Sequence, residues 1–440
     1  MSHEIKNVEE YFQISPKLKK NLAIILGIGL VLFVIGLFQV SSSGGEHHGD
    51  HHGELINAAS TASVQGAAAV EAEGHGFHWI QRLYANLWIN NIYFIGIAII
   101  GVFFFAIQYI ANAGWSVVLL RIMSALSTFL PIAAVLMIVT FFFANHDLFH
   151  WTHEGIADPA SDNYDAIIAG KVGFLNLPFY WSRLIIFLGV WILFAWMLRK
   201  QSGKEESIGG VKLYKNTTKL SGAFLIFFGI SSSVAAWDWI MSIDTHWYST
   251  MFGWYVFASW FVSGLAAITL IAVLLKDAGF MKVLNENHLH DMGKFVFGFS
   301  IFWTYIWFSQ FLLIYYANIP EETVYFWERL NSDYYSKFIF INLFLNFFFP
   351  FLGLMTRDAK RKIILLKIVC VIVLIGHWLD FYLMVTPGTL KGHGNFGFLE
   401  IGLTMIYLAV FAFVVANALT KLPLIPKKHP MLEESLHHHT

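Results

Sequence analysis

The sequence predicts an all-α polytopic membrane protein. About ten transmembrane helices form two four-helix bundles related by a parallel repeat, with peripheral helices beside them. Three observations predict this. The chain is 57% hydrophobic and only 13% charged, and apolar runs of bilayer length recur throughout it. Basic residues gather in alternate loops. Two sets of spans end in matching motifs. The short alternating segments of a membrane β-barrel do not occur in the sequence.

Residues 1–20 read as a cytoplasmic tail carrying Lys17, Lys19 and Lys20, followed by a peripheral span at 21–40. That basic flank suits a signal peptide, but the apolar run is longer than a usual h-region and no A-x-A site follows directly, so it reads as an anchor. Residues 41–85 form a periplasmic loop rich in His, Gly and Ala. Its His47, His48, His51 and His52 read as a solvated tether rather than a metal site. Spans at 87–110, 118–143, 177–198 and 220–241 build a first bundle within 86–250. Spans at 253–275, 294–318, 337–354 and 363–385 build a second within 251–386. A peripheral span at 396–419 precedes the tail 421–440. Each run is close to the roughly 20 residues that cross a bilayer core.

Orientation follows from Lys and Arg. The loops after the fourth, sixth, eighth and tenth spans are basic; the loop after the second, with only Arg121 nearby, is the exception. Intervening loops are acidic, with Asp147, Glu154, Asp158, Asp162 and Asp165 in one and Glu321, Glu322 and Glu328 in another. Both termini are therefore expected in the cytoplasm. The net charge of −1 gives no basis for nucleic-acid binding. The single cysteine, Cys370, rules out an intrachain disulfide, a c-type haem motif and an iron–sulfur cluster held by this chain.

The repeat is visible at span ends. FFFANHDLFHW (141–151) and IYYANIPEETVYFW (314–327) both run from aromatics through Ala-Asn to acids and further aromatics. AAWDWIMSID (235–244) and GHWLDFYLMV (376–385) both place an aspartate beside tryptophan near the outer end. Spans two to five thus pair with spans six to nine, in the same orientation.

Ionisable groups inside hydrocarbon are costly and mark functional candidates. At about 1.5 Å per residue, Asp238 lies about 28 Å beyond Lys219, near the outer face. His377 and Asp380 lie roughly 22 and 27 Å beyond Lys362, three residues apart and so on one helix face. Arg183 sits about 10 Å in from the outer end of span four. His146, Asp147, Asp244, His246, Glu321 and Glu322 belong to the outer rim. Ser231, Ser232 and Ser233, with Tyr305, Ser309 and Gln310, suit a mid-membrane polar relay. Asn342 and Asn346 are one turn apart on span eight, and Ser124, Ser127 and Thr128 lie low on span three. His288, Asp291 and Lys294 occupy the inner rim. The plain alternatives are serines bonded to their own backbone and a static buried ion pair of Arg183 with Asp238 or Asp147.

Haem between four membrane helices needs facing mid-helix histidines, and only His377 is well inside a span. No haem, iron–sulfur cluster or covalent cofactor is therefore expected. The 16 Trp, 17 Tyr and 43 Phe suit either a flat quinone ring or packing and interfacial belts.

DWIMSIDTHWYS (238–249), LNLPFYWSR (175–183) and HLHDMGKFVFGFSIFWTYIWFSQFLLIYYANIPEET (288–323) resemble the NrfD-like, polysulfide-reductase-type membrane subunits. More closely, they resemble the large membrane subunits of bacterial alternative complex III, a quinol–cytochrome c oxidoreductase, over roughly residues 80–420. The length and YYANIPEET favour the F subunit over its paralogue, the C subunit. The resemblance implies a bacterial inner-membrane location. It implies partners: the C subunit, an iron–sulfur and molybdopterin-like B subunit, multihaem cytochrome c subunits, small membrane subunits, lipids and a terminal oxidase. It implies polar half-channels for protons and leaves open a pocket for menaquinone or ubiquinone. By matching motifs, the implied site residues are His146, Asp147, Arg183, Asp238, Asp244 and His246 in the first bundle. In the second they are Asn318, Glu321, Glu322, His377 and Asp380. The alternatives are a purely structural anchor and a stand-alone secondary transporter. No pair of short, Gly/Pro-broken spans supports the latter.

Overall fold

The protein is described by a computed structural model covering residues 10–43 and 79–439; His47, His48, His51 and His52 lie outside the described residues. Ten helices are long and apolar enough to cross a membrane. They are α1 (Pro16–Ser42), α2 (Trp79–Ile110), α3 (Gly114–Leu148), α4 (Leu177–Ser207) and α5 (Val211–Ile243). The rest are α6 (Phe252–Asp277), α7 (Glu286–Ala317), α8 (Ser336–Gly353), α9 (Ile363–His393) and α10 (Phe398–Leu419). No strand forms among the described residues.

Each expected span has its helix, and most helices run further than the apolar run that announced them. The sequence 200–207, KQSGKEES, is polar and rich in good helix formers, so α4 continues through it. Caps fix several ends. Asn176 accepts from the Phe179 N–H at 3.0 Å to start α4, with Pro178 in its first turn. Asn285 and His288 form a capping box at the start of α7, and Asn318 ends that helix in the left-handed region at φ 49°.

Two helices are irregular. α3 passes through 3-10 turns at Gly114–Leu119 and Ser127–Phe129 before its long outer segment Leu130–Leu148. Pro131, which has no N–H to give, sits at the start of that segment. α8 contains a π-helical turn at Phe344–Phe348, with Pro350 just beyond it. Such turns are rare and concentrate at functional sites.

α2 and α6 are central. Their most apolar windows are 89% and 83% buried, against half or less for the other eight, which leaves the lipid-facing surface to those eight. α2 packs on α3 and α5, and α6 packs on α7 and α9. The two groups meet through α2–α6, α2–α9 and α5–α6, an exchange that treats α2–α5 and α6–α9 alike. A Cβ on Gly96 would sit 1.9 Å from Trp260 Cδ1, and one on Gly264 would sit 2.2 Å from Ile100 Cγ2. Glycine at both positions is what lets α2 and α6 approach. Trp88 and Trp260 close the junction, donating to the carbonyls of Trp239 (2.7 Å) and Ile92 (3.1 Å). α1 lies along α10, and α10 rests on α2 and α3. The first and last described segments meet at one end of the bundle, called inner below: Glu10 O accepts from Leu424 N at 2.9 Å.

Candidate functional site

Asp380 on α9 is fully buried and accepts from four neutral donors. Oδ1 accepts from the Tyr255 hydroxyl of α6 and from Asn342 Nδ2 of α8 at 2.8 Å. Oδ2 accepts from Ser259 Oγ of α6 at 2.5 Å and from Trp303 Nε1 of α7 at 2.9 Å. All four helices of the second group thus converge on one carboxyl. No Lys or Arg pairs with it among the described residues. Its one ionisable neighbour of opposite type is His377, fully buried one turn below. His377 Nδ1 is 3.9 Å from Asp380 Oδ2, beyond hydrogen-bond reach, and neither ring nitrogen has a partner among the described residues. Its ring stands edge-on to Trp303.

The donor types matter. Indole N–H and amide NH₂ only donate, whereas the hydroxyls of Tyr255 and Ser259 donate or accept. The carboxyl can take up a proton by turning one hydroxyl around and keep all four contacts. A polar file continues inward along α8: Asn346 Nδ2 donates to Asn342 Oδ1 at 2.6 Å, and Asn346 Oδ1 is buried without a partner. Asn346 belongs to the π-helical turn, which swings it toward α9, where a Cβ on Gly376 would lie 2.2 Å from Asn346 Oδ1.

Asp238, the matching residue of the first repeat, is built differently. Arg183 donates to it twice, Nε to Oδ2 at 2.6 Å and Nη2 to Oδ1 at 2.8 Å. The same Nη2 reaches Phe174 O at 3.1 Å, and the guanidinium lies between the rings of Phe174 and Phe179 at 4.0 and 4.1 Å. Of the two partners weighed for Arg183, Asp238 is the one used. The geometry is that of a static, charge-compensated pair.

The outer-rim residues divide into separate contacts rather than one ring. Asp244 pairs with Arg329 Nη2 at 3.2 Å; that buried guanidinium also donates to the carbonyls of Tyr325, Leu383 and Met384 and covers the Tyr325 ring at 3.4 Å. Burial pulls the Arg329 guanidinium down, but Tyr325 and Asp244 outweigh it and hold it above its ordinary value. Arg329 lies in the short helix Pro320–Leu330, whose Glu322 carbonyl accepts from Trp247 Nε1 at 3.1 Å. Asn318, Glu321 and Glu322 lie at or near the exposed start of this helix. His146 is exposed and stacks on His153 at 4.1 Å, with Asp147 half-buried beside it.

His246 lies 2.6 Å from Asp165 Oδ2, while Asp165 Oδ1 caps the short helix Ala166–Ala169 through the N–H groups of Ile167 and Ile168. Burial pushes the Asp165 carboxyl up, but the Ile168 N–H and His246 overrule it and hold it below the usual carboxylate range. A lowered folded value means that this contact stabilises above the ordinary Asp range near 3.9 and is lost as pH falls through the lower folded value. Asp165→Ala costs about 1 kcal/mol at neutral pH, measured as faster hydrogen exchange at Ile167 and Ile168.

The proposed relay residues separate too. Ser231 accepts from Trp191 Nε1 at 2.9 Å. Ser232 is buried, and Ser233 packs against Gly253. Tyr305 is 65% exposed and points outward, with Ser309 bonded to its carbonyl at 2.5 Å. Gln310 alone of the α7 trio is buried. At the inner rim Asp291 binds Lys294 Nζ and His438 Nε2, both at 2.6 Å, and His288 meets Ser435 Oγ at 3.3 Å. The inner rim is therefore sealed by the C-terminal tail. His429 of that tail packs against Tyr109 and Tyr214. Burial, with Arg121 nearby, pulls its imidazole down to about 4. A folded value below the ordinary 6.5 means that docking is fully supported above pH 6.5 and weakens as pH falls toward about 4. Limited proteolysis is expected to release the tail increasingly over that interval.

Sequence reasoning missed several partners. Tyr255 and Ser259, four apart on α6, carried the signal of one polar helix face. Glu400, the only acid of its apolar run, marks a buried pair with Arg82 at 2.7 Å that ties α10 to α2. Trp303 carried no signal among so many tryptophans. Among the described residues, no group of three or more His, Cys, Asp or Glu is arranged to hold a metal ion. No protein-family model and no curated protein matches the chain.

Proposed function

We propose that this chain is the integral membrane subunit of a respiratory quinol–cytochrome c oxidoreductase of the alternative complex III type, in a bacterial inner membrane with both termini cytoplasmic. Its role is proton transfer through the second helix group, and it carries no redox centre of its own. One observation carries the reading: Asp380 is a fully buried carboxyl held by neutral donors, two of them reversible hydroxyls, beside an unpartnered His377. A structural anchor has no need of an uncompensated acid in hydrocarbon. The charge-compensated Asp238 favours a second, complementary reading, in which the first helix group serves as scaffold. A quinone pocket near the outer rim is the finer part of the proposal.

Membership is tested by purifying the full chain from its native membrane. The reading expects co-purifying chains with c-type haem and iron–sulfur spectra. A chain that leaves the membrane without such partners sinks it and favours a transporter.

A further inference from the structure

A second site lies at the inner end of the first helix group, independent of Asp380. A small cleft of about 60 Å³ lies there between α3, α4 and the end of α10. Arg121, Ser124, Arg199, Ala418, Lys421 and Leu422 line it, and no carboxylate does. Ser124 and Arg199 also line an adjoining apolar crevice of only about 10 Å³, walled by Val102, Phe105 and Leu198.

Three features point to a ligand. Arg121, Arg199 and Lys421 each stand at the inner boundary of their apolar run, the level of lipid phosphates. The side chains of Arg199 and Lys421 have no hydrogen-bonding or ionic partner among the described residues. Arg121 is buried, only 3% exposed; Nη1 and Nη2 are taken by Ser202 (2.8 Å) and Glu206 (3.1 Å), but Nε is buried without a partner among the described residues. Glu206 bonds Arg121 and Glu205 stands close to it, which leaves the three cations one charge in excess of these carboxylates. An unpaired buried guanidinium N–H is costly and calls for an acceptor.

We propose that this cleft binds the phosphate headgroup of an anionic phospholipid at the inner membrane boundary. The cations supply charge, and their place at the level of lipid phosphates favours a phospholipid over a free anion.

The test uses the full chain with its accompanying subunits, delipidated in neutral detergent and titrated with phosphatidylglycerol while bound lipid is counted by native mass spectrometry. Native protein is expected to retain phosphatidylglycerol in preference to phosphatidylcholine. Arg199→Gln with Lys421→Gln is expected to weaken retention roughly 30-fold, the loss of two surface cations. Arg199→Lys with Lys421→Arg is expected to keep it, and thermal unfolding checks that both variants fold. Equal retention of phosphatidylcholine, or unchanged retention in the glutamine variant, overturns the proposal. Displacement of the lipid by inorganic phosphate at matched concentration overturns the lipid assignment in favour of a free anion.

Discussion

Asp380→Asn is expected to slow quinol-driven cytochrome c reduction by the assembled enzyme at least about 100-fold, the lower end for removal of a positioned acid–base group. The substitution keeps the volume but gives up the proton and turns one acceptor into a donor. Trp303 can only donate and Asn342 donates as placed, so unless the Asn342 amide turns over one contact is left donor against donor, at a cost of about 1–3 kcal/mol. That loss is small enough for the protein to assemble, so turnover and thermal stability are read on the same preparation. Tyr255→Phe removes one reversible hydroxyl and leaves Ser259, so a milder loss of turnover is expected from it. Native turnover in Asp380→Asn, with native stability, would leave the chain a scaffold.

Arg183→Met is expected to act in the opposite way, on stability rather than chemistry. It strands Asp238 in a site built around a bidentate guanidinium, at a cost of about 3–5 kcal/mol. Thermal unfolding in detergent measures the loss. The pair Arg183→Met with Asp238→Leu removes both charges and is expected to recover most of it, because well-packed apolar replacements of buried ion pairs are often neutral. Turnover of that double variant should return with its stability. Persistent inactivity at restored stability would move Asp238 from the scaffold to the proton path.

The fold was legible because bilayer physics leaves few choices. Apolar runs gave the spans, and the matched Asp-Trp and Ala-Asn endings paired α2–α5 with α6–α9. Depth arithmetic brought Asp238, His377 and Asp380 forward, and all three side chains are buried. What it did not give was who faces whom. Asp238 and Asp380 look equivalent in sequence, and only lateral packing tells them apart: Arg183 reaches one, while Tyr255, Ser259, Asn342 and Trp303 reach the other. Rotation about a helix axis was equally hidden, so Tyr305 and Ser309 shared a depth with Gln310 but not its face. The π-helical turn that aims Asn346 has no periodic signature. The tail that covers His288 and Asp291 comes from the far end of the chain, where no local pattern announces a contact.

The most direct measurement is an infrared difference spectrum of the assembled enzyme between its quinol-reduced and oxidised states. The account predicts a protonated-carboxyl stretching band that shifts in deuterium oxide and disappears in Asp380→Asn while persisting in the Arg183→Met, Asp238→Leu variant. A spectrum in which no carboxyl band depends on Asp380 contradicts it.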